Sequence, residues 1–266
     1  MPVNTWAART VALCTLMAAP AVAQVGNTGH QLDPATLGQH VLTAPESMRS
    51  GESILFAPSE YDDPVFRAAV AAITGGTVDY FDARVATPDP ALLSNYDCVY
   101  TWPDYMYFDN VAFGDNLADR VDAGGVAILG VFSTYTAGAY MSGRIMTPAY
   151  SPVVSPTGSN HYTSSSYAGD GVTPIHDGVV AYESGFRDFL ALQGAGVQDG
   201  SYLDGEIAHA YRPDFKVIYS NGSGAFPLGG TGDWPRLIAN ACRVGQLPFQ
   251  DGFESGDTSA WSLTVP

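Results

Sequence analysis

Short apolar runs alternate along this chain with segments whose apolar positions repeat at helical spacing. Four of the runs are bounded by polar or turn-forming residues, which is typical of buried strands. They are residues 53–58 (SILFAP), 77–83 (TVDYFDA), 97–103 (DCVYTWP) and 126–132 (VAILGVF). Each of the first three runs is followed by a segment that predicts a helix.

The helix signals are local. The first predicted helix starts at Asp63, an acceptor side chain placed directly before a proline, and stops at Gly75. Asp89 also precedes a proline and starts a second, short helix. A longer helix is predicted over residues 108–125, and two glycines end it. Strands that alternate with helices in this way predict an α/β domain with a doubly wound parallel sheet and helices on both faces.

The alternation stops over residues 133–175, which are rich in Ser, Thr, Tyr, Gly and Pro. A loop of this length inside a domain predicts a functional segment or an excursion that carries short strands. Beyond it the pattern predicts a helix over 184–193 and a hairpin or two edge strands over 205–222. A closing helix over 233–245 has Asp233 as its predicted N-cap.

The two ends of the chain carry different signals. Residues 1–23 hold an apolar run and end in AVA, a small-residue cleavage pattern, so a signal peptide and export are predicted. A membrane anchor is the alternative, but the run is shorter than the roughly 20 residues that a spanning helix needs. Residues 24–51 are interpreted as a polar leader, 52–245 as the α/β domain, and 246–266 as an acidic tail. The protein is expected in the periplasm, outside the cell or on its surface, without membrane insertion after cleavage.

The net charge of the predicted mature chain limits the classes of partner that it can bind. Without Arg9, which lies in the predicted signal peptide, 10 Lys and Arg face 27 Asp and Glu, a net formal charge of −17. Such a surface repels nucleic acid and anionic membranes and leaves neutral ligands, cations or proteins as partners. Solubility alone is the simpler explanation of the same charge.

Two cysteines remain in the predicted mature chain, Cys98 and Cys242. In an oxidising compartment such a pair predicts a disulfide, and two unpaired buried thiols are the alternative. Neither cysteine belongs to a spaced cluster suited to a metal. A metal site built from Asp62, Asp63, His161 or His176 is the alternative, but the two aspartates suit a helix cap and no two histidines lie three or four positions apart. No metal and no cofactor are therefore predicted.

A family resemblance is carried by "ALLSNYDCVYTWPDY" and "LADRVDAGGVAILGVF". These stretches resemble the class I glutamine-amidotransferase-like fold, and more closely its ThuA-like (trehalose-utilisation type) branch, which implies a flavodoxin-like sheet over roughly residues 52–245. The later "VTPIHDGV" is similar to the family's segment around a His-Pro-Ile, with Thr173 at the position of that histidine. "GTGDWPRLIANACR" is similar to the family's closing helix.

The sequence departs from that family at the turn that carries the catalytic cysteine. Catalytic amidotransferases of this fold carry a cysteine on a glycine-flanked turn after a central strand, with a histidine and an acid later. The corresponding turn here reads "GVFSTYTAGAYMSG" and has no cysteine, while Cys98 falls within a predicted strand. The resemblance therefore implies the fold without glutaminase chemistry by that route.

Ligands of doubly wound sheets bind outside the carboxyl ends of the strands. This rule selects four ligand-binding candidates, which are Glu60, Asp104, Tyr105 and Tyr135. The same edge and the loop beyond it supply candidates for catalysis by a nucleophile, a base and an acid, which are Ser133, His161, His176 and Asp104. The tyrosines of residues 133–168 suit contacts with a sugar or a protein, or simply cover the sheet edge.

The tail resembles the C-terminal ends of varied secreted bacterial proteins in its stretch "DGFESGDTSAWS". An exposed appendage is the favoured interpretation, and a strand that docks on a partner or a disordered end are the alternatives. Taken together, the sequence favours an exported, non-catalytic domain that binds a small molecule, a glycan or a protein. A secreted hydrolase with Ser, His or carboxylate groups at the strand ends is the alternative, and a structural surface protein is the third interpretation.

Overall fold

Four α-helices and fourteen short strands lie within residues 51–225, 228 and 230–246, which the computed structural model describes. The helices are α1 (Pro64–Thr74), α2 (Pro90–Leu93), α3 (Asn110–Asp122) and α4 (Trp234–Val244). The strands are β1 (Ser53–Phe56), β2 (Thr77–Tyr80), β3 (Cys98–Thr101), β4 (Val126–Gly130), β5 (Val153–Val154), β6 (Asn160–His161), β7 (Ser165–Ser166), β8 (Tyr182–Ser184), β9 (Arg187–Asp188), β10 (Ala191–Leu192), β11 (Val197–Gln198), β12 (His209–Tyr211), β13 (Val217–Ser220) and β14 (Thr231–Gly232). The predicted signal peptide, most of the leader and the tail from residue 247 lie outside this range.

Seven strands form the main sheet, in the order β11-β12-β13-β4-β3-β1-β2. The pairs from β13 to β2 are parallel, whereas β12 runs antiparallel to β13, and β11 antiparallel to β12. The sheet is therefore mixed, with a parallel body and two antiparallel strands added at one edge. The predicted α/β fold with a flavodoxin-like parallel sheet is confirmed, and the antiparallel edge is an addition to it.

Side chains alternate between the two faces of the sheet. Ile54 and Phe56 of β1 pack with α1 and α4 on one face, whereas Leu55 packs with α2 and α3 on the other. Helices therefore cover both faces, as predicted. Each face holds its own apolar cluster, and burial of such side chains is the main stabilising contribution to a domain of this kind.

The predicted N-terminal caps of α1 and α2 are present. The Asp63 carboxylate accepts from the N–H groups of Val65 and Phe66 at 3.1 and 3.0 Å, and α1 ends at Gly75 with φ of 70°. A left-handed residue is needed there, and glycine adopts it without steric cost. Asp89 caps α2 in the same way, accepting from Leu92 N–H at 2.7 Å.

Asp233 occupies the N-cap position of α4 but does not cap it with its side chain. Its carboxylate accepts instead from the N–H groups of Val180 and Ala181 at 2.7 and 3.0 Å. The predicted helix is thus confirmed and the predicted capping contact is wrong. The side chain joins α4 to a neighbouring segment, which sequence spacing alone does not reveal.

The helix predicted over residues 184–193 is wrong, because this segment forms parts of β8, β9 and β10. Two of its backbone N–H groups donate to side chains that are distant in sequence. Asp188 N–H donates to Asn221 Oδ1 at 2.7 Å, and Leu190 N–H donates to Glu206 Oε1 at 3.0 Å. Contacts with other segments therefore replace the local i to i−4 bonds that the apolar spacing suggested.

The hairpin predicted over residues 205–222 is confirmed as β12 and β13, but β13 is not an edge strand. It lies between β12 and β4, with Ile218 opposite Ile128. All of its residues are buried, as expected for an interior strand. The long segment after β4 carries β5, β6 and β7, which confirms the expected excursion with short strands.

Cys98 and Cys242 form a disulfide, with their Cα atoms 5.5 Å apart. The bridge joins the first residue of β3 to the last turn of α4. It ties the closing helix to the centre of the sheet. In the described part of the chain, no helix combines the length and the apolar character that crossing a membrane requires.

Candidate functional site

The candidate site lies where β1 and β3 end. Backbone pairing continues past both strands: Ser59 N–H donates to the Trp102 carbonyl at 2.9 Å, and Tyr105 N–H donates to the Ser59 carbonyl at 2.9 Å. Because the two chain segments stay paired, Glu60 and Asp104 are placed next to each other. We call Glu60 and Asp104 the carboxyl pair.

Glu60 is buried, with 1% of its surface exposed, whereas Asp104 is half-buried. The Oε1 atom of Glu60 accepts from the N–H of Tyr61 at 2.6 Å. Its Oε2 atom is buried and receives no hydrogen bond from the residues described. Burial and the neighbouring Asp104 carboxyl together raise the pKa of Glu60 to about 7, against the lowering effects of Tyr61 N–H and Arg84. Because burial and a neighbouring negative charge both disfavour an ionised carboxylate, the surroundings of Glu60 favour its protonated form.

Tyr61, Tyr105 and Arg84 contact one another beside the carboxyl pair, and we call these three residues the aromatic rim. The two rings meet edge to face with centroids 5.9 Å apart, and 62% of Tyr61 and 47% of Tyr105 are exposed. The Arg84 guanidinium lies 3.7 Å from the Tyr61 ring centroid and 5.5 Å from that of Tyr105. Arg84 also pairs with Asp82 at 2.7 Å, so its charge is already matched. The rim thus presents aromatic surface to solvent directly beside buried carboxyl oxygens.

Further buried polar atoms at this edge of the sheet have no hydrogen-bond partner among the described residues. They are Ser59 Oγ after β1, Trp102 Nε1 after β3 and Ser133 Oγ after β4. An unsatisfied buried polar group costs about 1–3 kcal/mol, so the presence of such groups after three neighbouring strands makes this edge of the sheet a candidate for binding a polar ligand.

Two surface clefts lie elsewhere. One, of about 320 Å³, is lined by α2 and α3 residues that include Asn116 and Arg120. The other, of about 190 Å³, lies at the starts of α1 and α4. Neither is lined by an unpartnered buried polar side chain of the described set, so the carboxyl pair is the stronger candidate although its surface is open.

Ser133 follows β4 and is wholly buried. The position before it, Phe132, has a positive φ of 70°, a backbone conformation that is strained for a bulky side chain. Within the described residues no hydrogen bond links Ser133 to His161 or His176. Its role as a nucleophile stays a prediction.

His161 and His176 have different surroundings. His161 Nε2 lies 3.0 Å from Glu206 Oε2, and its ring packs on Phe189 with centroids 3.6 Å apart. His176 Nδ1 lies 3.0 Å from Asp199 Oδ2, and its ring stacks on Tyr167. Each histidine thus has a carboxylate of its own, and their catalytic roles stay predictions.

Asp199 is an acid that the sequence analysis did not select. Burial would raise its pKa, but hydrogen bonds from His176, Thr173 and Val172 N–H outweigh burial and hold the pKa below its usual range. The Asp199 carboxylate is therefore ionised and fixed. No sequence signal pointed to it, because it lies 23 residues from its histidine partner.

His209 is the third histidine of this part of the fold. It is fully buried on β12, with Nδ1 3.1 Å from the Tyr182 hydroxyl and Nε2 3.0 Å from Ser220 Oγ. Burial lowers its pKa well below the usual value, and His176 adds to this. His209 is therefore neutral at pH 7.

Of the four predicted ligand-binding residues, the structure brings Glu60, Asp104 and Tyr105 together. Tyr135 lies in a second aromatic group, with its ring centroid 5.6 Å from that of Phe132 and 6.4 Å from that of Tyr162. The sequence analysis missed Tyr61 and Arg84. Tyr61 directly follows Glu60, and Arg84 lies two residues after Asp82 at the end of the second predicted strand, so both were within reach of the strand-end rule.

The described residues contain no group of three or more His, Cys, Asp or Glu side chains that could hold a metal ion. No cofactor site is assigned either. What the candidate site offers is a buried carboxyl group with a raised pKa, a neighbouring carboxylate and aromatic faces.

Comparisons with known proteins bear on the fold. No family model matches the chain, and no curated protein matches it. Among solved structures, a cytoplasmic protein from Salmonella typhimurium is similar, with a TM-score of 0.53 and 13% identity over 72% of this chain and 98% of that one. A ThuA-like protein from Bacteroides uniformis has a TM-score of 0.48 and 12% identity over 72% of this chain and 90% of that one. A GMP synthase subunit from Thermoplasma acidophilum has a TM-score of 0.46 and 10% identity over 73% of this chain and 94% of that one. At these identities the likeness concerns the fold alone.

Proposed function

We propose that this protein is an exported binding domain whose carboxyl pair and aromatic rim take a neutral, hydroxyl-bearing ligand of carbohydrate type. The observation that carries the proposal is the buried Oε2 atom of Glu60, which has no hydrogen-bond partner among the described residues, in a site that also includes the exposed rings of Tyr61 and Tyr105. A ligand hydroxyl would satisfy this atom.

The two parts of the site suit the two kinds of surface on a sugar. Carboxyl oxygens exchange hydrogen bonds with hydroxyl groups, and aromatic faces pack against the apolar C–H face of a ring. The side chains of Tyr61 and Tyr105 are rigid rings with few rotatable bonds, so ordering them on binding costs little conformational entropy. This combination favours a polyhydroxylated ligand over a purely apolar one.

Charge supports a neutral ligand. The acidic protein repels anions, which disfavours phosphorylated or carboxylated ligands. Arg84 stands over the tyrosine faces and would repel a cation in the same position. Binding without glutaminase chemistry is also supported, because Cys98 and Cys242 are joined in a disulfide and Phe132 holds the strained position after β4.

The test is calorimetric titration of the exported protein with a panel of neutral mono- and disaccharides, for the wild type, Tyr105→Ala and Tyr162→Ala. Tyr162 is the matched control, since it is also exposed and aromatic but belongs to the Tyr135 group. We expect Tyr105→Ala to weaken binding about two- to tenfold, as loss of an aromatic contact worth about 0.5–1.5 kcal/mol implies. Tyr162→Ala should bind as the wild type does. No binding of any sugar at millimolar concentration, or equal loss in both variants, would contradict the proposal.

Hydrolysis at the same site is the second candidate, and the observation that favours it is the carboxyl of Glu60, whose pKa of about 7 suits a general acid or base. Chromogenic glycosides and esters test it directly. Turnover that Glu60→Gln abolishes and Ser133→Ala leaves intact would replace the binding proposal with a carboxyl-based hydrolase. Turnover lost in Ser133→Ala would indicate the serine route.

A further inference from the structure

We infer that Glu60 holds the ligand in its protonated form, so that the site releases a neutral ligand when the proton of the carboxyl pair leaves. This inference rests on the proposed function and adds regulation by pH to it. It follows from how the two oxygens of Glu60 are placed.

The two oxygens have different roles. Oε1 already accepts the N–H of Tyr61 at 2.6 Å and is therefore an acceptor. Oε2 is buried and has no hydrogen-bond partner among the described residues, and the segment that carries Asp104 is paired with the backbone of Ser59, directly before Glu60. A proton on Oε2 makes this atom a donor, which an oxygen of the ligand can accept.

The charged and titratable groups that face Glu60 do not reverse its preference for the protonated form. Asp104, from the segment after β3, favours the protonated form. Arg84 lowers the pKa of Glu60, but it is the smallest contribution, and Arg84 is paired with Asp82. The hydroxyl of Tyr80 donates to the backbone carbonyl of Glu60 at 2.7 Å rather than to its carboxyl.

Tyr105 and Tyr61 complete the surroundings. The Tyr105 pKa is raised, first by Glu60, so this phenol stays neutral over the physiological range. Tyr61 contributes its backbone N–H to Oε1. The group that changes charge near neutral pH is therefore the Glu60 carboxyl.

Loss of the proton would change binding in two ways. The donor on Oε2 disappears, and two negative charges then face each other at the place where the neutral ligand binds. If only the protonated form binds, affinity falls tenfold for each pH unit above the pKa of the pair and is constant below it. If instead a ligand hydroxyl donates to ionised Glu60, affinity rises with pH, which is the opposite slope.

The experiment is titration of the exported protein with the saccharide that binds most tightly, at pH values from 5.5 to 9, for the wild type, Glu60→Gln and Glu206→Gln. The side-chain amide introduced by Glu60→Gln would keep a neutral N–H donor in place of the protonated oxygen. We expect wild-type affinity to fall by about tenfold or more between pH 7 and pH 9, and Glu60→Gln to bind with little dependence on pH. Glu206→Gln removes another largely buried carboxylate, paired with His161, and should keep the wild-type profile.

A second measurement needs no ligand. In a ¹³C NMR titration of the free protein, the side-chain carboxyl carbon of Glu60 should shift with a midpoint near pH 7, whereas ordinary glutamates shift near 4.5. A midpoint in the ordinary range, affinity that rises with pH, or a pH dependence that Glu60→Gln retains would overturn the inference while leaving sugar binding intact. A midpoint near 7 without binding of any sugar at pH 5.5 would instead overturn the proposed function, and the regulation of binding with it.

Discussion

The imidazole of His176 is held by Asp199, with Nδ1 3.0 Å from Oδ2, although the two residues are 23 positions apart. The same carboxylate accepts from the N–H of Val172 at 2.8 Å and from the hydroxyl of Thr173. Asp199 therefore fixes the turn that carries His176 against the strand β11. The pairing is buried and charge-assisted, which makes its contribution to stability depend on pH.

Asp199→Asn should destabilise the protein by about 2–3 kcal/mol at pH 7, because hydrogen bonds to a charged group are lost. The pKa of Asp199 is lowered in the folded state, so its stabilisation is complete above pH 4 and is lost as the pH falls further. Urea unfolding at pH 7 and at pH 3 measures this difference. Asp177→Asn, an exposed carboxylate in the same segment, is the control and should change little. An equal loss at both pH values would mean that packing, and not the ionised carboxylate, is responsible.

Glu60→Gln should have the opposite pH dependence. The pKa of Glu60 is raised to about 7, chiefly by burial, so its ionisation penalises the folded state above that pH, and the penalty vanishes as pH falls towards 4.5. The full shift corresponds to about 3 kcal/mol, and solvent near the half-buried Asp104 reduces this to about 1–2 kcal/mol. Glu60→Gln is therefore expected to be more stable than the wild type at pH 8.5 and equal to it near pH 5, by urea unfolding. A variant less stable than the wild type at pH 8.5 would contradict this account.

The disulfide between Cys98 and Cys242 closes a loop with a sequence separation of 144 residues. The loop-closure model gives such a bridge about 4–5 kcal/mol, mainly by restricting the unfolded chain. Reduction should therefore lower the urea midpoint of the wild type strongly. The Cys98→Ala, Cys242→Ala variant should already have the low midpoint and should not respond to reductant. A wild type that also does not respond would show that the bridge is absent in solution.

Much of the parallel body of the fold could be predicted from the sequence, because its signals are local. Asp63 and Asp89 each stand before a proline and start a helix, and continuous apolar runs mark β1, β3 and β4. Both kinds of signal act within a few residues. These signals can therefore be recognised without knowledge of the tertiary contacts.

The wrong predictions have the opposite origin. The segment 184–193 has helical apolar spacing, yet its amides bond to Asn221 and Glu206. Asp233 has the position of a helix cap, yet its carboxylate accepts from a different segment. In each case a partner distant in sequence decides the structure, and no local pattern records that partner.

The candidate site falls between these cases. The strand-end rule placed Glu60, Asp104 and Tyr105 at one edge of the sheet, because the topology alone decides which edge they share. The burial of Glu60, the half-burial of Asp104 and the position of Arg84 over the Tyr61 ring depend on packing after the strands end. The position of the candidate site in the fold could thus be predicted, whereas the burial and the charged surroundings of Glu60 could not.

Asp188 is the buried acid whose removal should disturb the turn after β4 most. It accepts from the Thr134 hydroxyl at 2.7 Å, from Asn160 Nδ2 at 2.8 Å and from the Tyr219 hydroxyl. Burial raises its pKa, and these hydrogen bonds oppose the rise. Removing the acceptor leaves several buried donors unpaired, at about 1–3 kcal/mol for each.

Asp188→Ala should therefore lose about 3 kcal/mol or more of unfolding free energy and accelerate hydrogen exchange at the Thr134 amide, which lies 3.3 Å from the carboxylate. Asp188→Asn keeps one acceptor oxygen and the same shape, so it should lose less than the alanine variant. Asp177→Ala, at an exposed position, should match the wild type in both measurements. If Asp188→Asn were as stable as the wild type, the native carboxyl would be neutral. The turn would then be held by the shape of the side chain and by one acceptor rather than by a negative charge.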